Sequence, residues 1–300
     1  MVNTVKENFR NVIVVLNIGG MFDASWFVDD ENIQSALLAF QGGMEGGLAA
    51  AELLLGEGNP SGKLCDTFAK TLEDYPSTYN FHESRDYVDY TDDIYVGYRY
   101  FETIPGGAKK VNYPFGYGLS YTTFDVETID ARLCDCNVSD KKISVQVKVT
   151  NTGAYSGKEV VQVYVSKPCG KLGNPARELV AFGKTKVLEP GESQALEIVV
   201  PNERFYSYDD SGVSGYAYSY VMEKGEFALY VGSDVRSAEK KWSYYQEKTV
   251  ATLRLKQCSA PQKPFDRYVN SEDGLKKEPV VCRQYDLKQV ILDNIGEGVA

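Results

Sequence analysis

The chain has 300 residues, 43% of them hydrophobic, 25% charged and 12% aromatic, which is enough apolar mass for two cores. Lysine and arginine number 32 against 42 aspartates and glutamates, so the formal charge is −10 and no basic face for binding phosphates is expected. With no basic amphipathic stretch, and with Val12 to Leu16 far too short to span a bilayer, neither nucleic acid nor membrane is an expected partner.

The elements follow in chain order. Met1 to Arg10 lacks the charged-then-apolar order of a secretion signal, because Lys6, Glu7 and Arg10 interrupt it; the chain as given reads as cytoplasmic. Val12-Ile13-Val14-Val15-Leu16 is a β-branched run apolar on both faces, the texture of a strand in a parallel sheet covered by helices. A second such strand is expected over Ala36 to Phe40. Glu45 to Leu55 is rich in Ala and Leu and ends at Gly56, which predicts a helix with a left-handed stop. That helix is apolar almost all round and should therefore be heavily buried. Lys63 to Phe68 reads as a last strand. Residues 72–115 carry no clean period and are acidic and rich in tyrosine, which predicts a long ordered loop laid over a surface.

Beyond Phe124 the alternation turns to period two. Strands are expected over Thr122–Asp130, Lys142–Asn151, Val160–Ser166, Leu179–Val187, Ser193–Val200, Ala217–Met222 and Glu226–Gly232, separated by turns such as Asn151-Thr152-Gly153 and Glu189-Pro190-Gly191. Seven short strands at this spacing predict an immunoglobulin-like sandwich. The tail beyond Ser233 offers one strand, Thr249 to Leu255, and a short helix near Leu287 to Leu292. The fold class expected is therefore α/β, a partial sandwich with a mostly parallel and incomplete sheet, followed by an all-β sandwich. The expected domains are 1–121, with the Tyr-rich loop 72–115 inside it, then 122–235, and 236–300 as an extended connector.

Several motifs tempt a chemical reading. Gly42-Gly43-Met44-Glu45-Gly46-Gly47 lacks dinucleotide spacing, and Glu45 would occupy the helix end that a phosphate needs. Gly58-Asn59-Pro60-Ser61-Gly62-Lys63 is one residue short of a P-loop and is followed by Leu64. The single histidine, His82, sits in an acidic loop without a nucleophile motif, so no triad is expected. Cys134-Asp135-Cys136 has no second close pair, so neither metal nor cofactor is expected, and the six cysteines read as reduced thiols. Asn137-Val138-Ser139 fits a glycosylation acceptor that stays silent without secretion. The stretch Tyr75 to Phe101 interleaves Tyr79, Phe81, Tyr87, Tyr90, Tyr95, Tyr98 and Tyr100 with Asp86, Asp89, Asp92 and Asp93. Aromatic faces beside carboxylates suit sugar rings; the competing reading is that these tyrosines cement the loop to its neighbours.

Five motifs in order carry a resemblance: Val12-Ile-Val-Val-Leu, Leu38-Ala-Phe-Gln-Gly-Gly-Met-Glu-Gly-Gly, Gly58-Asn-Pro-Ser-Gly-Lys-Leu, Ile94-Tyr-Val-Gly-Tyr-Arg-Tyr-Phe, and Tyr113-Pro-Phe-Gly-Tyr-Gly-Leu-Ser-Tyr-Thr-Thr-Phe. Together they resemble the C-terminal region of family 3 glycoside hydrolases, typically β-glucosidases and related exo-acting glycosidases. The all-β half is similar to the fibronectin type III-like domain of that family through Asn151-Thr-Gly, Glu159-Val-Val-Gln-Val-Tyr-Val and Glu189-Pro-Gly-Glu.

The resemblance implies retaining hydrolysis of O-glycosidic bonds by two carboxylates about 5 Å apart. It places the nucleophile aspartate on a TIM-like barrel and the acid/base glutamate upstream of the strand matching Val12 to Leu16. Both are thus expected outside this chain, and no catalytic or substrate-binding residue is assigned within it. The expected partners are a β-glucoside or oligosaccharide and a barrel domain, in the same or a separate chain. The tail, with Pro264-Phe-Asp-Arg-Tyr-Val-Asn, looks like the connector of a permuted subgroup in which the barrel comes last. A sheet missing its first strands should also show an open edge and an apolar face. The alternative reading is a non-catalytic glycan-binding or assembly module that uses the Tyr-rich loop.

Overall fold

The computed structural model describes residues 1–134, 142–256, 260–271 and 273–282. After a short helix, α1 (Val2–Asn8), the β-branched run forms strand β1 (Ile13–Leu16), and the chain returns through α2 (Ser25–Val28) to β2 (Ser35–Leu38). β1 and β2 pair in parallel, Ile13 with Ser35 and Leu16 with Leu38. Helix α3 (Gly46–Leu55) stops where expected, at Gly56, whose φ of 78° is the left-handed conformation that closes its last turn.

Three expectations are corrected here. Of the sheet expected to be mostly parallel, one parallel pairing forms, β1–β2, and the other pairing among the described strands of residues 1–121 is antiparallel. Parallel neighbours need crossover connections, and after α3 the chain supplies loops instead. Lys63 to Phe68 shrinks to β3 (Phe68–Ala69), which pairs antiparallel with β4 (Val111–Tyr113). The third correction concerns α3, which carries no buried residue despite its composition. Leu48 is 58% and Leu55 74% exposed. One face of β1 likewise leaves Ile13 and Val15 uncovered. The apolar sequence is real, but no second layer lies over it among the described residues.

The Tyr-rich stretch condenses into 3-10 turns at Leu72–Asp74 and Pro76–Tyr79 and a single helical turn, α4 (Tyr98–Phe101). The first of these is fixed by a capping box between Thr71 and Asp74.

All seven expected strands of the second half form: β5 (Phe124–Cys134), β6 (Lys142–Asn151), β7 (Val160–Ser166), β8 (Glu178–Lys184), β9 (Ser193–Pro201), β11 (Ser219–Met222) and β12 (Gly225–Gly232), with a short β10 (Ser207–Asp209) between β9 and β11. Beyond them come β13 (Glu239–Gln246), β14 (Val250–Arg254), where one tail strand was expected, and a hairpin of β15 (Asp266–Ser271) and β16 (Gly274–Pro279). The expected helix at 287–292 falls outside the described residues. Sheet β5-β6-β9 faces sheet β13-β12-β7-β8, and β10-β11-β14 forms a third. Alternation drives the stacking: Ile143, Val145, Val147 and Val149 of β6 meet Val161, Val163 and Val165 of β7, with Leu229 and Phe227 of β12, in one buried cluster.

The Gly58–Lys63 loop joins the two halves. Asn59 Oδ1 accepts from the Ser120 hydroxyl at 2.8 Å and the Tyr121 amide at 2.9 Å, while its amide nitrogen donates to the Ser156 carbonyl at 2.9 Å. Lys63 pairs with Glu159 at 2.9 Å and donates to the Gly118 carbonyl at 3.0 Å. A Cβ on Gly118 would stand 2.2 Å from the Gly62 carbonyl oxygen, so only glycine lets these two backbones meet. What resembled a phosphate loop is a joint.

Candidate functional site

The structure divides the tyrosines of the Tyr-rich stretch into two sets. Tyr75, Tyr95 and Tyr98 point inward and spend their hydroxyls on backbone. Tyr75 accepts from the Ala69 amide at 2.8 Å and donates to the Thr67 carbonyl at 2.7 Å. Tyr98 accepts from the Leu179 amide at 2.8 Å. Tyr95, only 1% exposed, accepts from the Asn270 amide at 2.9 Å and donates to the Gly173 carbonyl. Burial pushes all three phenols up. Tyr79, Phe81, Tyr87 and Tyr90 are exposed, and so are Glu83 and Asp86 between them. The packing reading holds for Tyr75, Tyr95 and Tyr98; among the exposed set, the Tyr79 hydroxyl also donates to a backbone carbonyl, that of Glu73 at 3.2 Å. His82 stands edge-on to Phe81, ring centres 4.5 Å apart.

Next to this segment lies a cavity of about 670 Å³ between the Tyr-rich stretch, the sandwich loops and the β15–β16 hairpin. Asp93, Asp210 and Arg267 line it. Arg267 donates to both oxygens of Asp210, at 2.6 and 2.8 Å, and pairs with Asp93 at 3.1 Å. Burial pushes the Asp93 carboxyl up, against the downward pull of Arg267; the charge of Asp210 adds to the rise. Asp93 and Asp210 thus meet in a cavity that Glu178 and Glu278 also line. A retaining pair needs an acid free to protonate a leaving group and a base free to attack. Asp93 and Asp210 are instead both held by one guanidinium, as in an ionic clamp. Lys167, which also lines the cavity, pairs with Glu178 at 2.7 Å and donates to the Tyr206 carbonyl at 2.9 Å. Sequence reasoning singled out Asp93 for its place among the aromatics and missed Arg267 and Asp210, which lie far from it in the chain.

The remaining motifs are local. Glu45 sits at the start of α3 and makes no side-chain capping bond. A Cβ on Gly42 would come 2.7 Å from the Gly46 Cα, so the glycine turn is folded tightly on itself, with its backbone facing its own chain. Among the described residues no group of three or more His, Cys, Asp or Glu could hold a metal. The Cys-Asp-Cys and Asn-Val-Ser motifs lie outside what the structure describes, the Cys134 backbone excepted. No described helix is long and apolar enough to cross a membrane.

With this geometry in hand, comparison with known proteins is decisive. Residues 1–121 match the glycosyl hydrolase family 3 C-terminal domain, and residues 159–235 the fibronectin type III-like domain. The chain carries the C-terminal domain of family 3 glycosyl hydrolases. It is 56% identical over 246 residues to β-glucosidase A of Butyrivibrio fibrisolvens, covering 79% of this chain and 30% of that protein. It is 43% identical over 282 residues to a β-glucosidase of Ruminococcus albus, covering 94% and 29%. A crystal structure of a β-glucosidase from Paenibacillus barengoltzii superposes with a TM-score of 0.91 at 42% identity, over 97% of this chain and 33% of that one. β-Glucosidase 3B of Thermotoga neapolitana, solved with glucose, gives 0.69 at 37% identity, over 81% and 32%. The chain therefore spans about a third of the length of these family 3 proteins.

Proposed function

We propose that this family 3 segment serves a retaining, exo-acting β-glycosidase of the β-glucosidase type, which hydrolyses O-glycosidic bonds in carbohydrate catabolism. In this reading the three parts 1–121, 122–235 and 236–300 supply a wall of the substrate pocket, a supporting sandwich and a connector. The nucleophile aspartate and acid/base glutamate belong to other parts of the machinery, the nucleophile to a barrel domain that is the main partner. The observation that carries the reading is the pairing of an uncovered apolar face, on β1 and around α3, with relatives three times as long. The Asp93–Arg267–Asp210 clamp supports it, because these two carboxylates, which meet in the cavity, are both engaged with one cation. The exposed thiol of Cys65 fits a reducing, cytoplasmic setting. Purified chain given a chromogenic aryl-β-glucoside should show no turnover. Turnover that survives repurification would overturn the assignment of both carboxylates to other parts.

One observation favours a second reading, glycan binding without catalysis: Tyr79, Phe81, Tyr87 and Tyr90 present uncovered rings beside Glu83 and Asp86. Calorimetry with gluco-oligosaccharides tests it. Binding by the wild-type chain, abolished in Tyr87→Ala and Tyr90→Ala, is its expected result, and an absence of heat with the wild-type chain would end it.

A further inference from the structure

The exposed rings sit on a segment with no helix or strand of its own between residues 81 and 90. It carries bonds of its own, from the Asn80 amide group to the Asp89 carbonyl at 2.6 Å and from the Asp89 amide to the Glu83 carboxylate at 2.9 Å, and immediately downstream the tail hairpin takes hold of residues 91–95. The Tyr268 amide donates to the Thr91 carbonyl at 2.8 Å. Arg267 joins Asp93 to Asp210 across the cavity. The Asn270 amide donates to the Tyr95 hydroxyl, which itself donates to the Gly173 carbonyl of the sandwich loop. The Tyr268 ring also lies 6.1 Å from that of Tyr100. Asp93 holds a φ of 48°, the left-handed region that aspartate and asparagine enter more readily than other side chains. Its amide donates to the Tyr90 carbonyl at 3.2 Å, so the residue that Arg267 holds also closes the turn that carries the Tyr90 ring.

We propose that the β15–β16 hairpin is a clamp that positions the aromatic and acidic segment 79–93, with Arg267 as its positioning residue. Arg267 serves two carboxylates from two distant parts of the chain through one planar fork, a geometry that the compact ammonium of lysine does not offer. The tail is thereby an orienting part of the family 3 segment as well as a connector. The clamp stands on its own contacts; its consequence for ligands rests on the reading of the exposed rings as a glycan-facing surface.

Hydrogen exchange of the full chain, followed by peptide mass spectrometry, tests the clamp. In Arg267→Ala, amides of 79–97 should exchange at least tenfold faster, while β6 and β7 keep wild-type protection. Arg267→Lys should fall between the two, and Asp93→Asn, which tolerates the same φ but lacks the charge, should loosen the same peptides. If Arg267→Ala fails to fold, these two milder variants decide the matter. Unchanged exchange over 79–97, or acceleration shared equally by β6 and β7, would overturn the proposal. Calorimetry with cello-oligosaccharides on the same proteins reads the ligand consequence separately: no binding by wild type removes the glycan-facing reading and leaves the exchange result standing.

Discussion

Asp209 shows how one side chain can hold a whole turn. It is fully buried, and its carboxylate accepts from the amides of Gly212 at 2.7 Å and Ser214 at 2.8 Å and from the Ser214 hydroxyl. Burial alone would push this carboxyl up, but the hydrogen bonds from Ser214, Gly212 and Ser211 outweigh it and hold it below the usual value. A depressed folded-state pKa adds stability that is present above the unfolded value of 3.8 and is lost as pH falls through the folded one. Asp209→Asn should therefore cost about 2–3 kcal/mol near neutrality in urea unfolding. It should also lose less stability than wild type between about pH 5 and pH 3. Equal acid sensitivity in the two proteins would contradict this account. At the joint, Asn59→Ala removes one hydrogen bond to the sandwich and two to the Ser120 hydroxyl and Tyr121 amide of its own half, and should cost about 1–3 kcal/mol.

Among the elements, β6, β7 and β12 contrast with α3. Leu229 of β12 is fully buried in the sandwich core, and Leu229→Ala should cost about 2–5 kcal/mol by denaturant unfolding. Leu48 and Leu55 of α3 are no less apolar, yet Leu48→Glu and Leu55→Glu should change the stability of this chain by no more than about 0.5 kcal/mol. Composition told where both elements lie but could not tell which was covered. Periodicity reads the demand for burial, and whether that demand is met depends on layers contributed from elsewhere. The seven sandwich strands were legible because each pairs with strands of the same stretch and alternation marks the inner face. The parallel sheet was over-read for the converse reason: a two-sided apolar run announces a central strand, whereas only one parallel neighbour is at hand among the described residues.

On the scale of the whole molecule, the candidate site was half legible. Tyr79, Phe81, Tyr87 and Tyr90 were visible as an aromatic and acidic cluster, but nothing local distinguished them from Tyr75, Tyr95 and Tyr98, whose hydroxyls are taken by backbone groups in β3, the β15 hairpin and β8. Arg267 was invisible as a site residue, because its partners Asp93 and Asp210 lie far off in sequence and single-chain patterns carry no such pairing. The same molecule-wide view unites the uncovered α3 and β1 with relatives three times as long: a surface this apolar calls for another layer. The proposal that this chain walls and supports a pocket whose reacting acids stand elsewhere is best checked by mixing. The rate of aryl-β-glucoside hydrolysis should be measured for this chain, for a separately produced barrel-bearing segment, and for the two combined. Turnover is expected in the mixture and none from this chain alone, with the mixture's activity lost in Leu48→Glu or Leu55→Glu; hydrolysis by this chain unaided would overturn the proposal.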